Sequence, residues 1–231
     1  IYDTEVERFI NYIDFLHKNN VDAVIMQDIG MIDLVRKTYP NLEVHASTQL
    51  HIHNLEGVKL CSELGLKRVV LARELGKKEI SEIIDKVNCE IEVFIHGAMC
   101  TCFSGRCALS NYVTNRDANR GGCAQVCRFA FKTKGEKDFT MATKDMNMAK
   151  HIGDLIEIGV KSLKVEGRMR SLYYLATVIG TYRAIIDDYY SDQLTDEKLE
   201  IYEKRLGRVA NREVSTHYFT KKADDTDQYY S

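Results

Sequence analysis

Val6, Phe9, Ile10, Ile13 and Leu16 recur at the three- and four-residue spacing of one helix face, and the Asn19-Asn20 pair ends that run. The pattern then changes. Short apolar runs follow at 22–28 (DAVIMQD), 42–48 (LEVHAST), 67–72 (KRVVLA), 89–97 (CEIEVFIHG) and 160–167 (VKSLKVEG), each of a length suited to a buried strand. Helical patterns such as MIDLVRKTY and KKEISEIIDKV separate the first four, giving a repeat of about 20 to 25 residues that fits parallel strands joined by crossover helices. A long helix is predicted over 171–190, with Leu172, Leu175, Ala176, Ile179 and Tyr182 inward.

Alternation within the runs carries a second message. Ile91, Val93 and Ile95 fall on one face of their strand, and Glu92, Phe94 and His96 on the other. Leu163 and Val165 oppose Ser162, Lys164 and Glu166 in the same way, and Val44 and Ala46 oppose Glu43, His45 and Ser47. A doubly wound sheet covers both faces with helices and makes both apolar. A face this polar instead predicts an α/β fold of the TIM-like barrel type, whose interior is polar near the carboxyl ends of the strands. Five strands are visible, six if KDFTMAT (137–143) joins them, whereas closure needs eight. The chain is therefore expected to be an incomplete, carboxyl-terminal portion of a barrel. Residues 1–97 would be parallel β/α units, 98–130 a cysteine-rich cofactor loop, 131–192 the last β/α units, and 193–231 a carboxyl-terminal extension with a loose acidic end, DDTDQYYS. A smaller complete α/β domain is the alternative.

Composition narrows the chemistry. The 231 residues are 45% hydrophobic, enough for a real core, and 32 Lys and Arg against 34 Asp and Glu give no global attraction to nucleic acid or to an anionic membrane. No run is long enough to cross a bilayer, and the amphipathic start is not an export signal, so a cytoplasmic location is expected. In a reducing compartment seven cysteines, five of them between His96 and Phe129, argue for metal, cluster or thiol chemistry rather than disulfides. Cys100, Cys107, Cys123 and Cys127 follow the spacing C-x6-C-x15-C-x3-C, unlike paired zinc knuckles, and Cys102 is the odd member. Thiolates suit an iron-sulfur cluster or zinc, and thiols with no metal remain the third reading. Cys61 and Cys89 sit in apolar settings and read as small buried hydrophobes.

These residues also carry a resemblance. EVFIHGAMCTCFSGRCALS, 92–110, matches at every position the pattern E-x-F-x-x-G-small-apolar-C-x4-G-x-C-x-apolar-S of the collagenase-like U32 peptidase family. NYVTNRDANRGGCAQVCRF, KDMNM, KVEGRMRSLYY and NREVSTHYF resemble that family too, whereas Cys102 lies outside its pattern. The resemblance implies two functions. The family was named for proteases without settled catalytic machinery, yet relatives act in hydroxylation of transfer-RNA wobble uridine, in some cases with prephenate, or of ribosomal RNA, and several hold a 4Fe-4S cluster on four cysteines. Carried over by position, the ligands would be Cys100, Cys107, Cys123 and Cys127, with zinc as the alternative metal.

Further candidates come from the strand ends. Glu92, His96, Lys164, Glu166 and Arg168 are expected to line the barrel mouth as catalytic groups, joined by parity with His45 and Ser47. The cations of KVEGRMR, Arg170 included, could grip a dicarboxylate such as prephenate through bidentate guanidinium bonds. Arg106, Arg116, Arg120 and Arg128, interleaved with Tyr112 and Asn115, could track RNA phosphates and stack on bases; solvated charge is the plain alternative. Hydrolysis of peptide bonds finds no H-E-x-x-H or G-x-S-x-G to support it, though His45, Glu92, His96 and Glu166 could form a dispersed metal site. His51 and His53 have chelating spacing in a short loop. A non-catalytic subunit completed by a partner chain, or a homo-oligomer, is a further possibility.

Overall fold

A computed structural model describes residues 1–132 and 138–222. Helix α1 (Val6–Lys18) comes first and stops at Asn19, with Asn20 in the left-handed region at φ 54°. Strands β1 (Ala23–Met26), β2 (Glu43–Ala46), β3 (Arg68–Val70) and β4 (Glu90–Ala98) follow, separated by α2 (Ile29–Thr38), α3 (Leu55–Glu63) and α4 (Lys77–Ile84). Polar side chains start two of these helices. Asp28 accepts from the Met31 amide at 3.1 Å, and Asn54 accepts from the Gly57 amide at 2.8 Å. After α5 (Leu109–Thr114) come β5 (Asp145–Asn147), α6 (Ile152–Glu157), β6 (Ser162–Val165), α7 (Leu172–Tyr190), α8 (Asp196–Leu206) and β7 (Val214–Ser215).

The parallel part of the sheet runs β1-β2-β3-β4-β6, each strand beside its predecessor of the same direction, while β5 lies antiparallel on the end of β4 and β7 parallel on β5. Among the described residues the sheet does not close. The expected barrel is thus an open, parallel-rich α/β sheet, because β1 and β6 each pair on one edge only. Two strands escaped the sequence pattern, β5 and β7, which are three and two residues long. The proposed strand at 137–143 forms isolated bridges instead of a strand, among them Phe139 with Phe131, and residue 137 lies outside the described residues, as does the acidic end at 224–231.

Register confirms the two unlike faces. Val44, Ala46, Val69, Ile91, Val93 and Ile95 form one core with Ile32 and Val35 of α2, Val58 of α3, Ile80 and Ile83 of α4, Leu155 of α6 and Val178 and Ile185 of α7. On the other face Arg68 is aligned with Glu90, and Glu92 and Phe94 with Ser162 and Lys164. The phase of α7 differs from the expected one. Tyr174, Val178, Tyr182 and Ile185 face the core, whereas Leu172 is 86% and Ile179 51% exposed and Ala176 is exposed as well. That helix is apolar on both flanks, so periodicity alone does not fix which flank is buried.

Candidate functional site

A cavity of about 360 Å³ opens at the carboxyl ends of the strands, and all five clustered cysteines, Cys100, Cys102, Cys107, Cys123 and Cys127, line it. Segment 98–130 folds over the sheet through short 3-10 turns at Phe103–Gly105, Ala118–Arg120 and Val126–Arg128. Discrete polar bonds fix it. The Glu74 carboxylate, just past β3, accepts from the Ser104 amide at 2.7 Å and from the Ser104 hydroxyl, and that hydroxyl in turn accepts from the Arg73 amide at 2.9 Å. Ser104 is fully buried at φ 38°, a left-handed conformation that a non-glycine residue holds only when its surroundings impose it. Asn119 makes a second clasp. Its carbonyl accepts from Gln27 at 2.8 Å and Gln49 at 3.2 Å, and its side chain donates to the Cys107 carbonyl at 3.3 Å.

Two thiols already receive backbone donors: the Leu109 amide reaches Sγ of Cys107 and the Gln125 amide reaches Sγ of Cys123, both at 3.4 Å. Burial pushes the Cys100 thiol up, while burial and then the hydrogen bond with Cys107 push Cys102 up to about 12. Zinc needs four sulfurs about 3.8 Å apart, as its ~2.3 Å bonds in tetrahedral array dictate. Among the described residues no three His, Cys, Asp or Glu side chains are grouped to hold a metal ion. A four-iron cluster takes one thiolate per iron and spreads its sulfurs more widely, and the thiols here are ranged around one cavity. His45, Glu92, His96 and Glu166 are not grouped as a metal site among the described residues either.

Cations share the cavity. Lys164 and Arg168 line it together with Glu166, Ser47 and Arg73. Arg73 stacks over the Phe94 ring at 3.8 Å, and burial pulls its guanidinium below the usual arginine value against the charges of Cys100, Glu166 and Glu74. Glu92 lies beneath Lys164, which donates to it at 2.7 Å; Ser162 does so at 2.7 Å and Arg68 at 3.4 Å. Burial alone would raise the Glu92 pKa, but these hydrogen bonds and charges outweigh it and hold the carboxyl below the ordinary range. Ser47 caps the turn that follows β2, accepting from the Gln49 amide at 3.2 Å. His45 is buried 3.5 Å from Glu43 and does not reach the cavity wall.

His96 departs from the expected placement. A bulge between Phe94 and His96 sets two residues of β4 against one of β6, so His96 pairs with Val165 and turns to the helix-covered face. There its Nδ1 lies 3.1 Å from the Tyr182 hydroxyl, which also donates to the Ile95 carbonyl at 3.1 Å. Burial lowers the His96 pKa to about 4, leaving the ring neutral at physiological pH. Gly97 follows with φ 105°, and a Cβ there would stand 2.3 Å from the Glu166 carbonyl, so only glycine lets β4 and the segment after β6 meet this closely.

A second cavity of about 330 Å³ adjoins the first and contains Arg116, Arg128 and Arg170. Arg170 bonds the buried Asp145 at 3.1 Å and the Ala210 carbonyl at 2.8 Å, and Arg212 binds the same Asp145. Arg120 is engaged elsewhere, with Glu5 at 2.6 Å and over the Tyr2 ring at 5.2 Å. The His51 and His53 rings lie 5.1 Å apart; His53 Nδ1 is 2.9 Å from the His51 carbonyl and the His51 ring lies 5.6 Å from that of Phe103. Sequence reasoning missed Arg73, Glu74 and Asn119. The one available signal was the position of Arg73 and Glu74 directly after a strand. No helix among the described residues is long and apolar enough to cross a membrane.

Comparison with known proteins places these features in context. The family model described as peptidase family U32 matches residues 1–229. The chain is 44% identical over 222 residues to tRNA hydroxylation protein P1 of Bacillus subtilis (strain 168), covering 90% of this chain and 53% of that one. It is 34% identical to the 23S rRNA 5-hydroxycytidine C2501 synthase of Escherichia coli (strain K12), covering 98% of this chain and 34% of the relative, and 31% identical to the collagenase of Porphyromonas gingivalis, covering 95% and 57%. Thus it spans between about a third and three fifths of the length of these relatives. Among solved structures it is similar to the U32 peptidase Mk0906, with a TM-score of 0.48, 13% identity, and coverage of 74% of this chain and 65% of the other.

Proposed function

The chain belongs to peptidase family U32, and from that premise we propose that it acts in RNA hydroxylation, with a transfer-RNA wobble uridine as the substrate. A 4Fe-4S cluster would be held by Cys100, Cys107, Cys123 and Cys127, and a small dicarboxylate such as prephenate would be the co-substrate. The observation that carries this reading is the lining of one cavity by all four of these thiols together with Lys164, Glu166 and Arg168. Relatives named for tRNA and rRNA hydroxylation support the substrate class. A bound cluster would supply one-electron chemistry at low potential.

The chain's own residues do the rest. Lys164 and Arg168 attract anionic groups into the cavity, and Glu92 under Lys164 fixes that ammonium in place. Arg73 on Phe94 closes the wall and adds a cation that offsets thiolate charge. Glu166 is the carboxylate within reach of the cavity, accepting from the Arg168 amide at 3.2 Å, and is the group suited to move a proton there. Further strands pairing with the open edges of β1 and β6 would complete a barrel in a longer protein, and a cytoplasmic setting belongs to the same reading.

Anaerobic purification followed by iron and sulfide analysis tests the cofactor, and nucleoside analysis of transfer RNA from a deletion strain tests the reaction. Zinc without iron, or unaltered nucleosides, would sink it. Peptide-bond hydrolysis is the second reading, favoured by the 31% identity to a protein named collagenase. Hydrolysis of a peptide panel that survives serine substitution of the cysteines would establish it instead.

A further inference from the structure

We propose that the arginine-lined cavity beside the thiols is the seat of a phosphate of the RNA strand; the inference rests on RNA being the substrate. Cations are divided between the two cavities. Arg73, Lys164 and Arg168 face the thiols and serve to offset thiolate charge, whereas Arg116, Arg128 and Arg170 line the neighbouring space. The one carboxylate lining that second space is Glu166. Asp145 stands behind it, 1% exposed and shared between Arg170 and Arg212, so it cannot neutralise all the guanidiniums around it.

Two of these arginines are also held in place. Arg170 is fixed from behind by Asp145 and the Ala210 carbonyl, and Arg128 donates to the Gln125 side chain. Arg116 is exposed, and among the described residues no carboxylate forms an ion pair with it. Preorganised guanidinium forks with unspent donors and unbalanced charge are matched to an oxyanion. Phosphate and carboxylate share that chemistry; the arrangement of the two cavities favours phosphate. Cys123, Gln125 and Glu166 belong to both walls. A strand that lodges a phosphate among the arginines therefore sets an adjoining nucleoside at the threshold of the thiol cavity, and the site works as a register for the base to be modified.

The test is binding of an unmodified transfer-RNA transcript to the anaerobically purified protein, measured from 50 to 300 mM salt. Arg116→Gln is the main variant, since an exposed side chain without a carboxylate partner leaves folding intact. Arg128→Lys keeps the charge and removes the fork. Losing one phosphate contact on a single strand should lower the salt slope by about 0.7, which amounts to about fourfold weaker binding at 0.15 M salt. Iron content and melting temperature should stay at wild-type values, and a charge-matched change on α3, Lys59→Gln, should leave the slope alone. If wild type binds the transcript and Arg116→Gln binds it equally with the same slope, the phosphate site is overturned while the RNA reading stands. If wild type does not bind the transcript at all, both fall. Saturable malonate binding that Arg116→Gln abolishes, with RNA binding unchanged, reassigns the cavity to a small dicarboxylate and overturns the proposal.

Discussion

The parallel sheet and the cysteine segment are held by opposite means. Strands β1 to β4 and β6 rest on backbone ladders, broken only by the bulge in β4, and on residues such as Val44, Ala46 and Val69 that are wholly removed from water. In segment 98–130 the chain turns through Ser104, Asn115 and Gln125 at positive φ, and single clasps from Glu74 and Asn119 stand in for a core. The sheet needs only apolar residues in the right phase, while the loop needs particular polar atoms at particular places. One consequence is that damage to the sheet should appear as lost global stability, and damage to the loop as altered thiol behaviour.

Gly97→Ala strikes the joint between the two and should have the largest effect, on the order of 4 kcal/mol, because its Cβ would meet backbone at a left-handed position. Denaturant unfolding measures it, and a loss under 1 kcal/mol would show that the joint yields. Ile91→Ala, inside the sheet, should cost about 3 kcal/mol and leave the relative alkylation rates of the clustered thiols as they are. Lowered pH tests the helix-covered face. Burial of neutral His96, modulated by Asp145 and Arg170, gives a folded pKa of about 4 against about 6.5 unfolded, so the unfolded chain takes up a proton that the folded chain refuses. Stability should therefore fall as pH drops from 6.5 toward 4, by about 3 kcal/mol in total, and His96→Gln should flatten that slope.

Glu74→Gln should cost about 2 kcal/mol at the clasp. It should speed alkylation of the loop thiols and amide exchange over 100–107, while the sheet amides keep their protection. Equal slowing or equal speeding across both regions would erase the contrast drawn above. Ser171→Ala removes the cap that accepts from the Tyr174 amide at 3.2 Å and should cost about 1 kcal/mol, with no change at the thiols.

Much of the sheet was legible in the sequence for a physical reason: period-two alternation in 90–95 and 162–165 reports directly which side chains face the helices. The placement of the cysteine segment at the carboxyl end of β4 was legible from its position after a strand, and Cys100, Cys107, Cys123 and Cys127 line one cavity there. What escaped notice depends on distant partners or on very short pairing. Strand β7 is two residues long, the Glu74 clasp spans 30 residues of sequence, and α7 is apolar on two flanks, so nothing local announces any of them. His96 was misplaced because alternation assumes an unbroken strand, and β4 is broken by its bulge.

That bulge, and not the alternation of residue types, decides which side of the sheet the end of β4 presents. Were β4 to run on without the bulge, unbroken alternation would carry His96 to the side of Glu92 and Phe94, swinging an imidazole toward the sulfurs and leaving the Tyr182 hydroxyl of α7 without it.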